Sequence, residues 1–148
     1  MRILVTGDRE WTDAKTMWDV LRFLPMELCD DGPDGLTLIE GEARGADIMS
    51  RIIVDILIGE GAEYSSDPVW VEVEKYPADW DGHGRAAGPI RNQQMLDSGV
   101  DYVVGFHADI TSSRGTRDML RRCASAGIAG RLYAPDYTEV EEWQTLVA

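Results

Sequence analysis

Cysteine and histidine are scarce in this chain of 148 residues, two of each. Cys29 and Cys123 stand far apart, with no Cys-x-x-Cys pair and no histidine at ligand spacing, so neither a zinc site nor a disulfide framework is expected. Long apolar runs are missing as well. No stretch approaches the roughly 20 residues that cross a bilayer. The opening MRILVTGDREW has one basic residue and a short apolar run instead of the longer core and cleavage site of a secretory signal, so a reducing cytoplasm is the expected location. Two phosphate-loop signatures are also absent. No GxxxxGKS or GxxxxGKT run occurs, and no GxGxxG follows the first apolar stretch, which excludes a P-loop and a conventional dinucleotide dehydrogenase; no cofactor is expected.

Positive charge is in short supply. Fourteen Lys+Arg stand against 27 Asp+Glu, for a formal net charge of -13. Such a field repels polyanions, so nucleic-acid polymers and anionic membranes are not expected partners. With 44% hydrophobic and 28% charged residues the composition is that of an ordinary globular chain, and the length fits one domain over residues 1–148.

Short apolar runs alternate with stretches of helical spacing. The runs are RILVT from Arg2, LTLIE from Leu36, VWVEVEKY from Val69, DYVVGF from Asp101 and RLYAP from Arg131. The first, second and fourth are nearly continuous, as in strands covered on both faces. Helices are expected over Asp13–Leu28, Ala46–Gly59, Arg85–Leu96, Thr116–Ala126 and Thr138–Leu146, with Thr12 as a cap and Gly127 as a stop. Gly59–Pro68 reads as a surface loop. The alternation predicts an α/β fold, a Rossmann-like three-layer sandwich around a central, mostly parallel sheet of about five strands.

Ligands of open α/β sheets bind beyond the carboxyl ends of the strands. The segments following the strands are Thr6-Gly7-Asp8-Arg9-Glu10-Trp11, Gly41 to Asp47, Pro77 to Asn92 and Ser112 to Asp118. Each joins glycine and arginine at a strand-to-helix junction, and all but Gly41 to Asp47 add a hydroxyl or amide. Such junctions offer free N–H groups and the positive end of a helix, and glycine admits a close approach. Arginine pairs two phosphate oxygens at once. Twelve of the fourteen basic residues are arginine, and six of them (Arg9, Arg44, Arg85, Arg91, Arg114 and Arg117) fall in these segments or in the first turn that follows.

A plainer reading stands beside this one. Glycines punctuate turns, Asp47 complements a helix N-terminus, and arginines in an acidic chain pair with neighbouring carboxylates. His83, between two glycines, is either an acid–base or ligand contact or an exposed loop imidazole. His107 closes the fourth strand. Trp11 and Trp80 lie in the loops, where a ring can stack on a base, whereas Trp18, Trp70 and Trp143 read as packing residues.

On these loops the chain resembles the YspA-type branch of the SLOG superfamily, Rossmann-like domains related to the LOG nucleotide phosphoribohydrolases and found in phages and bacteria. The runs that carry the resemblance are VTGDREW, GEARGAD, PADWDGHGRAAGPIRNQQM and RGTRDM followed by AGI, spanning Met1 to about Ile128. It implies a nucleotide or nucleotide-derived ligand and a capacity to form homodimers. Through the LOG enzymes it also implies cleavage of the N-glycosidic bond of nucleoside monophosphates. Arg91 and Met95 match the LOG arginine and the methionine four positions on. The LOG GGxGTxxE loop corresponds to Ser112–Met119, with serines for the paired glycines and Met119 where the catalytic glutamate stands. The nearest carboxylate, Asp118, is one residue early, and a helix turns about 100° per residue.

Three functions follow in order. The first is binding of a nucleotide or an ADP-ribose-like ligand: the Gly41–Asp47 loop with Arg44 and Gly45, and Arg114, Gly115 and Thr116, hold phosphate, Thr6 and Gly7 shape the floor, Arg91 with Asn92 fixes ribose or phosphate, and Asp47 or Asp118 accepts a ribose hydroxyl, with Arg9 and His83 as further ligand-binding candidates. The second is an N-glycosidase in which Arg91 orients the phosphoribosyl group and Asp118 or Asp47 stabilises the positive charge of the departing sugar. The third is an acidic interaction protein that takes no small ligand.

Overall fold

The computed structural model describes residues 1–29, 35–64 and 69–148. Six strands, β1 (Arg2–Gly7), β2 (Leu36–Glu40), β3 (Trp70–Lys75), β4 (Tyr102–Phe106), β5 (Ala129–Ala134) and β6 (Thr138–Glu139), form one sheet in the order β3-β2-β1-β4-β5-β6. The first five run parallel, and only β6 is antiparallel to its neighbour. Strand order reverses between β1 and β4, the position at which the helices leave for opposite faces and open a crevice.

The period of two along the strands sorts the core. Ile3 and Val5 of β1, Leu36 and Leu38 of β2 and Val104 and Phe106 of β4 face α1 (Ala14–Leu28) and α2 (Ala46–Tyr64). Leu4, Ile39, Val103 and Leu132 face the other way, onto Met95 of α4 (Ala87–Asp97), Met119, Leu120 and Cys123 of α5 (Gly115–Ser125) and Trp143 of α6 (Trp143–Val147). Each such side chain, taken from water to the interior, contributes about 1.5–3 kcal/mol, which is why the near-continuous apolar runs of β1, β2 and β4 sit at the centre.

Local chemistry sets the helix ends. Asp13 rather than Thr12 caps α1, its carboxylate accepting from the Thr16 N–H at 3.0 Å and the Thr16 hydroxyl at 2.7 Å. Inside α1, Pro25 has no N–H to offer the carbonyl of Leu21 four residues back. The indole N–H of Trp70 donates to that carbonyl instead, at 2.8 Å, and so ties α1 to β3.

Three expectations need correction. Gly59–Tyr64 is not loop, because α2 runs on to Tyr64; Gly61 lies against Val69, where a Cβ would stand 3.2 Å from Cγ1, so the glycine buys a close approach. Residues 65–68 of that expected loop lie outside the described residues. Thr138–Leu146 is not one helix: Asp136 and Tyr137, both at positive φ, turn the chain back, so Thr138 and Glu139 pair with Ala134 and Tyr133. Between β3 and α4 the chain forms a short helix, α3 (Trp80–His83), started by Asp79, which accepts from the Gly82 N–H at 2.9 Å.

Candidate functional site

A cavity of about 220 Å³ opens over the carboxyl ends of β1, β2 and β4. Thr6, Gly7, Asp8 and Arg9 enter it from β1, and Ala43 and Asp47 from the β2–α2 turn. Arg91, Asn92 and Met95 enter from α4, and His107 and Ser113–Thr116 from the segment between β4 and α5. A hollow of about 310 Å³ adjoins it, shares Arg9 and Arg91, and is bounded by Gly41, Arg44 and Trp80. A larger cleft of about 1000 Å³ shares Arg9, Arg91 and Asn92 with the cavity and is lined further by Arg85, Arg114, Arg117 and Arg121.

The backbone of β1 can come this close to its neighbours only because Gly7 has no side chain: a Cβ there would lie 2.4 Å from the Phe106 carbonyl oxygen and 2.5 Å from the Ala46 Cβ. Gly45, at φ +79°, presses on the carbonyls of Asp8 and Arg9 in the same way. The Asp8 carbonyl accepts from the Ala46 N–H at 3.0 Å and locks the first two loops together. Gly45 is therefore a packing residue and does not line the cavity.

Arg91 is buried. Its Nη1 donates to the Gly41 carbonyl and its Nε donates to Asn92 Oδ1 at 3.1 Å. Asp47, 6% exposed, accepts from the Ala43 N–H at 3.3 Å. Burial pushes the Asp47 carboxyl up to about 7; the Arg91 charge opposes the shift and the nearby Glu40 carboxylate adds to it. Burial likewise holds Arg91 below its ordinary value, with Asp47 supporting its charge. Glu40, which composition and spacing did not single out, closes β2 with no exposed surface; Oε2 accepts from the Glu42 N–H at 2.6 Å and Oε1 has no partner. Burial raises its carboxyl as well. The signal for it was a glutamate ending an otherwise apolar run.

The first turn of α5 faces the cavity; the Arg114 side chain does not cap it, and the Ser113 hydroxyl accepts from the Arg117 N–H at 3.3 Å. Among the described residues no acceptor meets the N–H groups of Gly115 and Thr116, two donors at the positive end of a helix whose residues line the cavity. His107 accepts the Asp109 N–H on Nδ1 at 3.0 Å, which leaves its proton on Nε2, 3.9 Å from Asp8 Oδ2.

The arginines divide by place. Arg2, Arg44, Arg51, Arg121, Arg122 and Arg131 are each ion-paired with a carboxylate. Among the described residues Arg9, Arg22, Arg85, Arg91, Arg114 and Arg117 have no ion pair within 4.0 Å, and all but Arg22 line the cleft or its inner cavity. Arg117 Nε is buried and has no partner among the described residues. In a chain with 27 acidic residues, that concentration of guanidinium groups without ion pairs at one edge is an anion site in electrostatic terms.

Four sequence candidates stand apart. His83 lies exposed on α3, outside the cavity, the hollow and the cleft, because the Asp79 cap turns that segment outward. Arg44 pairs on the surface with Glu10 at 2.6 Å, the plainer reading. Trp11 is core, packed edge-on to Phe106 at 5.4 Å, whereas Trp80 is half exposed at the rim beneath the Arg9 guanidinium, 5.6 Å from its ring centre. Asp118 accepts from Arg122 Nε at 2.8 Å, Asn92 Nδ2 at 3.0 Å and Arg121 Nη2 at 3.2 Å. Burial alone would raise its carboxyl, but those hydrogen bonds outweigh it and hold the group below the usual range. It edges the outer cleft and not the inner cavity. Met119 is fully buried in the core. Among the described residues no His, Cys, Asp or Glu side chains gather in a metal-ligating group, and no helix is long and apolar enough to cross a membrane.

Against known proteins, the chain is 35% identical to the Gene 61 protein of Mycobacterium phage D29 over 127 residues, 86% of this chain and 91% of that protein. No family model matches it. No solved structure matches it.

Proposed function

This chain belongs to the family of the Gene 61 protein of Mycobacterium phage D29, and we propose that it is a cytoplasmic protein of SLOG type that binds a nucleotide or nucleotide-derived ligand at the carboxyl edge of its sheet. One observation carries the reading: five of the six arginines free of ion pairs among the described residues line one cleft, and Gly115 and Thr116, whose N–H groups have no acceptor among those residues, line the inner cavity that joins it. Phosphate oxygens would take those N–H groups and the guanidinium groups of Arg9 and Arg114. Arg91, held by the Gly41 carbonyl and Asn92, presents its charge in a fixed orientation. Asp47 at the cavity wall would accept a ribose hydroxyl.

Thermal denaturation against mono-, di- and cyclic nucleotides tests this, since a ligand bound only by the folded state raises the midpoint. Stabilisation by at least one nucleotide, lost in Arg114→Gln, supports it; a folded sample unmoved by the whole panel overturns it.

A second reading, N-glycosidase action, draws on Asp47 rather than on Asp118. Asp47 borders the cavity beside Arg91 and its carboxyl sits near neutrality, suited to proton transfer. Release of free base from nucleoside monophosphates, abolished in Asp47→Ala, is the observation it requires.

A further inference from the structure

We propose that the cleft is built for a nucleotide carrying two or more linked phosphates, with its base against Trp80, rather than for a nucleoside monophosphate. The inference rests on the nucleotide-binding reading above and narrows the ligand class.

Charge is the first argument. A phosphate monoester brings about -1.5 to -2 charges at neutral pH. Five guanidinium groups without ion pairs border the cavity and cleft, those of Arg9, Arg85, Arg91, Arg114 and Arg117. Of the carboxylates there, Asp118 is already taken by Arg121 and Arg122, and Asp47 and Asp8 lie on the inner side. One phosphate would leave most of these cations unmatched, whereas a di- or triphosphate chain approaches balance. Arg117 adds a buried Nε that has no acceptor among the described residues.

Size and continuity are the second. The inner cavity, about 220 Å³, falls below the roughly 300–1,000 Å³ of sites that enclose a whole organic ligand. It is continuous with the outer cleft of about 1000 Å³ through Arg91, Asn92 and the Ser113–Gly115 turn. A ligand anchored at the Gly115 and Thr116 N–H groups therefore extends outward over Arg114 and Arg117.

The third is the flat surface at the mouth. Trp80 is 49% exposed, with Arg9 over its ring and Gly88 so near its edge that a Cβ there would stand 3.4 Å from Cη2. An exposed indole held on one rim of an arginine-lined cleft is a stacking platform for a planar base. A bare phosphate chain has no use for it.

Calorimetric titration of the full chain in magnesium-free buffer, with inorganic phosphate, tripolyphosphate, adenosine mono-, di- and triphosphate, separates the alternatives. The expected result is at least tenfold tighter binding of the diphosphate than of the monophosphate, with Arg117→Gln reducing that preference. Trp80→Ala should weaken the nucleotides about tenfold and leave tripolyphosphate unchanged, with Trp80→Phe restoring most of the loss. Equal affinity for mono- and diphosphate overturns this proposal while leaving the nucleotide reading standing. Tripolyphosphate bound as tightly as the triphosphate, or nucleotide binding unaffected by Trp80→Ala, overturns the role of the base. No binding of any probe by a folded sample removes the underlying reading itself.

Discussion

The guanidinium of Arg91, on the helix that follows the third strand, donates from Nη1 to the carbonyl oxygen of Gly41, at the end of the second strand. That bond carries a cation from one side of the crevice to the other and leaves room for nothing larger than glycine: a Cβ on residue 41 would meet Nη1 at 2.3 Å and Cζ at 2.7 Å. Gly41→Ala should therefore push Arg91 out of place, costing about 1–3 kcal/mol in denaturant unfolding and at least tenfold in ligand affinity. Arg91→Lys should lose a comparable amount of affinity, because a single ammonium cannot hold both the Gly41 carbonyl and Asn92.

Gly45 and Gly115 make a matched pair. At Gly45 φ is +79° and a Cβ would lie 2.4 Å from the carbonyl oxygens of both Asp8 and Arg9, whereas at Gly115 nothing stands within 4 Å. Gly45→Ala should destabilise by about 2 kcal/mol or more, since backbone cannot step aside. Gly115→Ala should stay within about 0.5 kcal/mol of the parent. Urea unfolding of the two variants side by side checks the contrast.

Asp47 predicts a pH dependence of stability. Its folded-state value, about 7, lies above the unfolded value of 3.8. Below 3.8 both states are protonated and nothing is lost. Between 3.8 and 7 the unfolded state has released the proton that the folded state retains, so stability falls as pH rises through this window and levels off above it. Unfolding midpoints of Asp47→Asn should fall less steeply from pH 4 to pH 7 than those of the parent, whatever the offset caused by leaving Arg91 without its carboxylate. At pH 8 the same variant should bind anionic ligands severalfold more tightly, because a negative charge has left the cavity wall.

Trp11 and Trp80 look alike in the sequence and differ in the fold. Trp11→Ala should cost about 3–5 kcal/mol, as for other large buried rings, because Trp11 packs on Phe106 and donates to the Asp13 carbonyl at 3.0 Å. Trp80→Ala should change stability by less than about 0.5 kcal/mol, its ring being half exposed. Thermal unfolding distinguishes them.

The same two residues mark how far the sequence could be read. Both follow a strand end and a glycine or an acidic cap, so their surroundings are similar along the chain; the difference comes from Phe106, which lies under Trp11 only after β1 and β4 pair. The central strands were legible because burial on both faces writes a continuous apolar run, and the junctions carrying Thr6, Asp47, Arg91 and Thr116 were legible because a parallel sheet brings all such ends to one side. What depended on partners distant in the chain was not. The extension of α2 packs on Val69 at Gly61, and the pairing of Thr138 and Glu139 rests on β5. Glu40 drew no notice because its position reads simply as the end of a strand. The sorting of arginines into paired and unpaired groups needed the positions of the carboxylates, which no spacing supplies.

The nucleotide-binding reading sets a phosphorylated ligand over the carboxyl ends of β1, β2 and β4, on the first turn of α5. The most direct measurement is a titration of the isotopically labelled protein with adenosine diphosphate, followed by amide nitrogen–proton correlation spectra. With ligand at that position the amides of Gly115 and Thr116 should move most, with Gly7, Ala43 and Asn92 following, and the α1 face of the sheet should stay still. Saturation without movement at Gly115 and Thr116, or shifts centred on α1 and α2, would contradict it.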